Sequence, residues 1–166
     1  MFELKRLHKD ALPAALAKAE RYRLLNEPRE AESICRDVLA VDPDSDAARV
    51  LLILALTDQF TRQLGATWSE AEACVDALHE AYARAYYRGI LHERRAKARL
   101  RAHLPRSRQG AYDDFRHAME CFDEAAGVAP PGEDAAILRW NTCARMLNAD
   151  PSLRPDGDAD EPTMLE

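Results

Sequence analysis

Residues Ala31–Pro43 read AESICRDVLAVDP and residues Ala118–Pro130 read AMECFDEAAGVAP. Ala31, Cys35, Val38 and Pro43 stand at offsets 0, 4, 7 and 12, and Ala118, Phe122, Ala125 and Pro130 repeat those offsets. Small or apolar residues at i, i+4 and i+7 form one stripe of an α-helix, and the proline ends it. The same half-unit used twice in one chain predicts an array of helical hairpins, each of which buries its apolar face only against a neighbour. Such an array does no chemistry of its own and leaves a groove in which something else binds.

Working outward, the stretch LAKAERYRLLNEPREAESICRDVLAVDPDS (16–45) holds a whole hairpin. Ala19, Tyr22, Ala31 and Pro43 match the small–aromatic–small–proline pattern of the tetratricopeptide repeat, and the chain resembles that family over roughly residues 10–148. Lys18 stands where the pattern expects a large apolar residue. A second unit, from Asp46 to about Tyr82, fits through Leu52, Leu56, Ala71, Val75 and Leu78 once extra residues are allowed between its helices. The third has the second helix already quoted, and EDAAILRWNTCARMLN (133–148) reads as a closing helix. The resemblance implies an all-α, right-handed helical-hairpin solenoid of about three repeats plus that closing helix. It also implies that the first helix of each unit lines a concave groove, with Leu16, Glu20, Arg23 and Leu24 in one unit and Val50, Leu54 and Asp58 in the next. The apolar members of that set fit burial between helices as well, so the charged Glu20, Arg23 and Asp58 are the groove candidates.

Caps and breakers predict helices at 10–26, 28–41, 45–60, 68–81, 83–104, 109–127 and 133–148. Pro28 suits a first turn, Asp44 or Ser45 can cap the third helix, and Thr67 or Ser69 the fourth. Residues 1–9 are expected to be an N-terminal extension. The segment 149–166, with three prolines and six acids against one arginine, is expected to be a disordered acidic tail. Two 34-residue periods would separate Pro43 from Pro130 by 68 residues, whereas the actual separation is 87. The surplus is expected in Phe60–Thr67, in a long fifth helix and in Leu104–Gln109.

Charge is unevenly placed. Residues 1–83 carry net −5, residues 84–108 net +8 and residues 109–166 net −9. Within the basic island Arg84, Arg88, His92, Arg95, Arg99 and His103 recur every three or four residues, which puts them on one ridge of the fifth helix. A solvated face paired with acidic neighbours and a face that recognises an anion are both open readings. On the second, the preference for arginine, eight against one lysine, suits bidentate clamping of carboxylates. Arg84, Arg88, His92, Arg95 and Arg99, with Glu20, Arg23 and Asp58, are therefore the candidate partner-binding residues. The expected partner is another protein or peptide, acidic in character. Nucleic acid is excluded on the acidic flanks and the sequence pI of 5.4. The acidic tail, ending in Met164, Leu165 and Glu166, is a candidate competitor for the ridge.

Other chemistry finds little support. No phosphate-cradling glycine loop and no GxSxG elbow is present, so no cofactor is expected. His117 and Cys121 share a helix face, yet lack the further groups that a nucleophile or a metal site requires. Trp140, Cys143 and Met146 fit a core stripe, and Trp68 fits a packing anchor. The four cysteines never form CxxC, which suits reduced, buried thiols in a cytoplasmic protein. The longest apolar run, VLLILAL (50–56), is too short to span a membrane, and MFELKRLHKD does not fit a secretory signal. The function expected is that of an interaction adaptor or chaperone, not an enzyme, similar in size and charge to the bacterial chaperones of secretion substrates. A structural subunit docked permanently in a larger assembly is the alternative, and a homodimer is compatible with either.

Overall fold

The computed structural model describes residues 2–102 and 107–153, without the side chains of residues 62–66. The described chain is all-helical: α1 Leu12–Leu24, α2 Pro28–Val41, α3 Asp46–Asp58, α4 Phe60–Asp76, α5 Ala81–Ala102, α6 Ser107–Gly127 and α7 Ala135–Ala149. Short 3₁₀ turns stand at Lys9–Ala11 and Pro151–Leu153. No described helix is long and apolar enough to cross a membrane.

The local chemistry explains the first hairpin. Leu24 ends α1 because Asn26 takes the left-handed conformation, φ 62°, which asparagine tolerates better than most residues. The Glu27 amide then donates back to the Tyr22 carbonyl at 2.9 Å, closing the helix end. Pro28 follows at the start of α2, where its missing N–H costs nothing. At the next junction the Ser45 hydroxyl accepts from the Ala48 amide at 3.3 Å and caps α3.

Each helix packs on the next in sequence, and α1 also touches α3, as α3 touches α5. One apolar cluster joins α1 to α4 through Ala19, Ala31, Cys35, Leu52, Ile53, Leu56, Ala71, Val75 and Leu78. A second joins α5, α6 and α7 through Ile90, Phe115, Ala118, Phe122, Ala125 and Cys143. Every residue of the repeated stripe, Ala31, Cys35 and Val38 in one copy and Ala118, Phe122 and Ala125 in the other, is buried. α5 and α6 approach closely at Gly89, where an added Cβ would stand 2.5 Å from the Phe122 ring. Burying such side chains stabilises by roughly 1.5–3 kcal/mol each, enough to fix the register of neighbouring helices.

Two expectations need correction. Phe60–Thr67 was expected as a connection, but α4 starts at Phe60 directly after Gln59, and the surplus length lies in the 17, 22 and 21 residues of α4, α5 and α6. The segment contains no proline, and its buried Phe60 and Thr67 hold it in the bundle, so neither Thr67 nor Ser69 is a cap. Within the expected acidic tail, the first part is folded: Leu153 is buried against α6 and α7, and Arg108 binds Asp150 at 2.7 Å. Residues 154–166 and His103 lie outside the described residues.

Candidate functional site

The basic island sits on α5, and the helix presents its cations on two opposite faces. The expected ridge turns toward α4 and α6. Arg88 pairs with Asp76 of α4 at 2.6 Å. Arg95 forms a two-pronged bond to Asp114 of α6, its Nε donating to both oxygens at 2.8 and 2.9 Å, and Arg99 Nε reaches the same carboxylate at 3.0 Å. Asp114 keeps only 3% of its side-chain area exposed. Arg95 also lies 3.6 Å over the Trp68 ring, and His92 meets that ring edge-on at 5.3 Å. Arg84 donates to the Leu78 and His79 carbonyls and fastens the α4–α5 turn. The ridge was open to pairing with acidic neighbours or to recognising an anion; Arg88, Arg95 and Arg99 do pair with acidic neighbours, but the carboxylate that Arg95 and Arg99 hold is buried and not part of a solvated face, because Asp114 falls opposite them once α6 packs on α5. Trp68 is an anchor as expected, but from within α4 and not at its start.

Half a turn round α5, Arg94, Lys97 and Arg101 face the other way. With Arg23 of α1 and Arg139 of α7 they line an open cleft of ≈ 540 Å³, together with Leu24, Asn26, Thr57, Asp58, Phe60, Thr61, Glu93 and Ala98. Two carboxylates stand among these five cations. Asp58 receives Arg23 Nε at 2.8 Å and Arg94 at 2.6 Å, and Arg94 further donates to Thr57 Oγ1 and the Leu54 carbonyl. Burial pulls the pKa of Arg94 down while Asp58 pulls against it. Glu93 is buried; its Oε1 receives Lys97 and, at 3.4 Å, Arg139. For Arg139 burial acts downward, and the Glu93 charge with hydrogen bonds to Tyr86 and Glu93 outweighs it, holding the guanidinium above its ordinary range. A neighbouring recess of ≈ 470 Å³ shares Asn26, Asp58, Thr61 and Arg101 and continues along Glu27–Glu30.

Of the expected site residues, Arg23 and Asp58 therefore meet in this cleft, Glu20 is exposed on α1 and does not line it, and the ridge lies on the far side of α5. Arg94, Lys97, Arg101, Arg139 and Glu93 escaped the sequence reading. Their signal was present: 94, 97 and 101 recur at +3 and +4 like the ridge, half a turn away.

His92, Asp114 and His117 bring three potential metal-ligand atoms within 4.8 Å of one another. The lone pairs of Asp114 are already taken by Arg95 and Arg99, and two guanidinium groups repel a dication at that place, so the cluster is an ion-pair network in its chemistry. Burial raises the Cys121 thiol, which opposes thiolate formation beside His117. The thiols of Cys35 and Cys143 are pushed up to about 12 by burial, and all four described cysteines are free. Comparison with known proteins finds no matching family model, no similar curated protein and no similar solved structure.

Proposed function

We propose that this chain is a tetratricopeptide-like interaction module that receives an acidic peptide segment of another protein in the cleft between α1, α3, α4, α5 and α7. The observation that carries the reading is the cleft lining, in which Arg23, Arg94, Lys97, Arg101 and Arg139 face Asp58 and Glu93, five cations to two carboxylates among the described residues of an acidic protein. Arginine in such a place binds carboxylates through paired, charge-assisted hydrogen bonds. The repeated small–apolar stripe and the packing of α1 on α3 and α3 on α5 support a stacked-hairpin architecture, in which odd-numbered helices share one face. An open cleft that adjoins a second recess favours an adaptor or chaperone role.

A permanent docking role has one observation in its favour: Ile137 and Leu138, at the start of α7, are 47% and 65% exposed. An adaptor purifies as a soluble species and binds peptides reversibly, whereas a subunit aggregates without its mate.

Fluorescence anisotropy of a fluorescein-labelled hexaglutamate peptide tests the cleft. Arg101→Glu should weaken binding at least tenfold, and Arg88→Glu on the opposite face should leave it within twofold. Affinity should fall as salt shortens the Debye length toward about 8 Å. Equal binding by wild type and Arg101→Glu would remove the cleft from consideration.

A further inference from the structure

Among the described residues lining that cleft, one buried polar atom has no hydrogen-bond partner. Glu93 keeps 1% of its side-chain area exposed and engages Lys97 and Arg139 through Oε1 alone, while Oε2 is buried without a hydrogen bond. Buried carboxylate oxygens in folded proteins are almost always satisfied, since leaving one unmade forfeits its solvation. Glu93 lines the cleft beside Lys97 and Arg139, so a segment seated there can supply the donor once the flexible, part-exposed Lys97 side chain gives way. A site built only to hold anions gains nothing from a carboxylate at its centre, which repels them. An acidic peptide resolves both demands, because its side chains carry carboxylates and its main chain carries an N–H at every residue, spaced about 3.3–3.6 Å when extended.

We infer that Glu93 is the specificity-determining residue of the cleft: its Oε2 accepts a main-chain N–H of the acidic segment, so the site selects peptides over polyanions that carry no donor. This rests on the acidic-peptide reading above. Phosphate oligomers and polycarboxylates offer only acceptors at neutral pH, and meet Glu93 with like charge and an unsatisfied oxygen.

The test is a double-mutant cycle read by competition against labelled hexaglutamate. The competitors are hexaglutamate and hexaglutamate N-methylated at each main-chain nitrogen, which keeps every carboxylate and loses every N–H. The wild-type chain should prefer the N–H peptide by about tenfold, the scale of one hydrogen bond to a charged acceptor. Glu93→Met keeps the side-chain length without an acceptor and should reduce that preference below threefold. An equal preference in both chains, or none in wild type, overturns the inference. A second readout needs no variant: the Glu93 ¹³Cδ resonance of the wild-type chain should move on adding hexaglutamate and stay still on adding a six-unit oligoacrylate. A resonance unmoved by the peptide, or moved equally by both, refutes it. If hexaglutamate fails to bind wild type at low salt, the acidic-peptide reading falls first and this inference with it.

Discussion

Replacing Arg95 with methionine probes the ion pair that joins α5 to the buried Asp114 of α6. The substitution keeps the aliphatic stem that packs along α5 and deletes the guanidinium that binds Asp114 through both oxygens and covers Trp68. Removing one partner of a buried pair costs about 3–5 kcal/mol, and the lost cation–π contact adds about 0.5–2 kcal/mol. Arg99 stays 3.0 Å from Asp114 and His92 stays at 3.4 Å, so part of the pairing survives. A net loss of about 3 kcal/mol is expected, and at 2–4 °C per kcal/mol for a chain of this size the thermal midpoint should fall by about 6–12 °C. The assay is circular dichroism at 222 nm with temperature, at pH 7. The loss has a pH signature. Burial alone would raise the Asp114 pKa, but hydrogen bonds from His92 and Arg95 and the charges of Arg95 and Arg99 hold it below the usual carboxylate value. A depressed folded-state pKa stabilises at pH above the unfolded value, about 4, and the contribution disappears as pH falls through the folded value. The gap between wild type and Asp114→Asn should thus be widest near neutral pH and narrow in acid. A midpoint within 2 °C of wild type for Arg95→Met, with no pH dependence of that gap, would refute the reasoning.

Other consequences follow from the same packing. Ala31→Leu and Ala118→Leu insert bulk where no area is exposed, and each should cost about 1–3 kcal/mol in urea unfolding. Gly89→Ala gains about 1 kcal/mol of helix propensity. Its Cβ would meet the buried Phe122 ring at 2.5 Å, so overpacking should prevail and the midpoint should drop. Arg88→Ala breaks only a half-exposed pair with Asp76 and should change stability by less than about 1 kcal/mol.

The core was legible because it obeys a period. Ala31, Cys35, Val38, Ala118, Phe122 and Ala125 repeat at helical spacing and all are buried. The start of α2 at Pro28 and the cap at Ser45 were legible because such residues act locally, whereas the expected first helix ran on to residue 26 and α1 ends at Leu24, before the left-handed Asn26. The start of α4 was not: Thr67 has a capping side chain but lies buried inside the helix, Gln59 at the N-cap makes no side-chain cap bond, and the helical state of 60–67 is set by what Phe60 and Thr67 pack against. The site was half legible for the same reason. Periodicity placed Arg88, Arg95 and Arg99 on one ridge of α5, but whether that ridge meets solvent depends on Asp114, nineteen residues beyond Arg95, and so on how α6 docks. The cleft needs five helices at once, and its buried carboxylate, Glu93, is a lone acid in a basic run that no spacing rule singles out.

The measurement that bears most directly on the cleft is a titration of the ¹⁵N-labelled chain with hexaglutamate, followed at the arginine Nε–Hε resonances. The cleft assignment predicts shifts at Arg23, Arg101 and Arg139, with Arg88 and Arg99 unmoved. Shifts confined to Arg88 and Arg99, or none at any arginine at low salt, would contradict it.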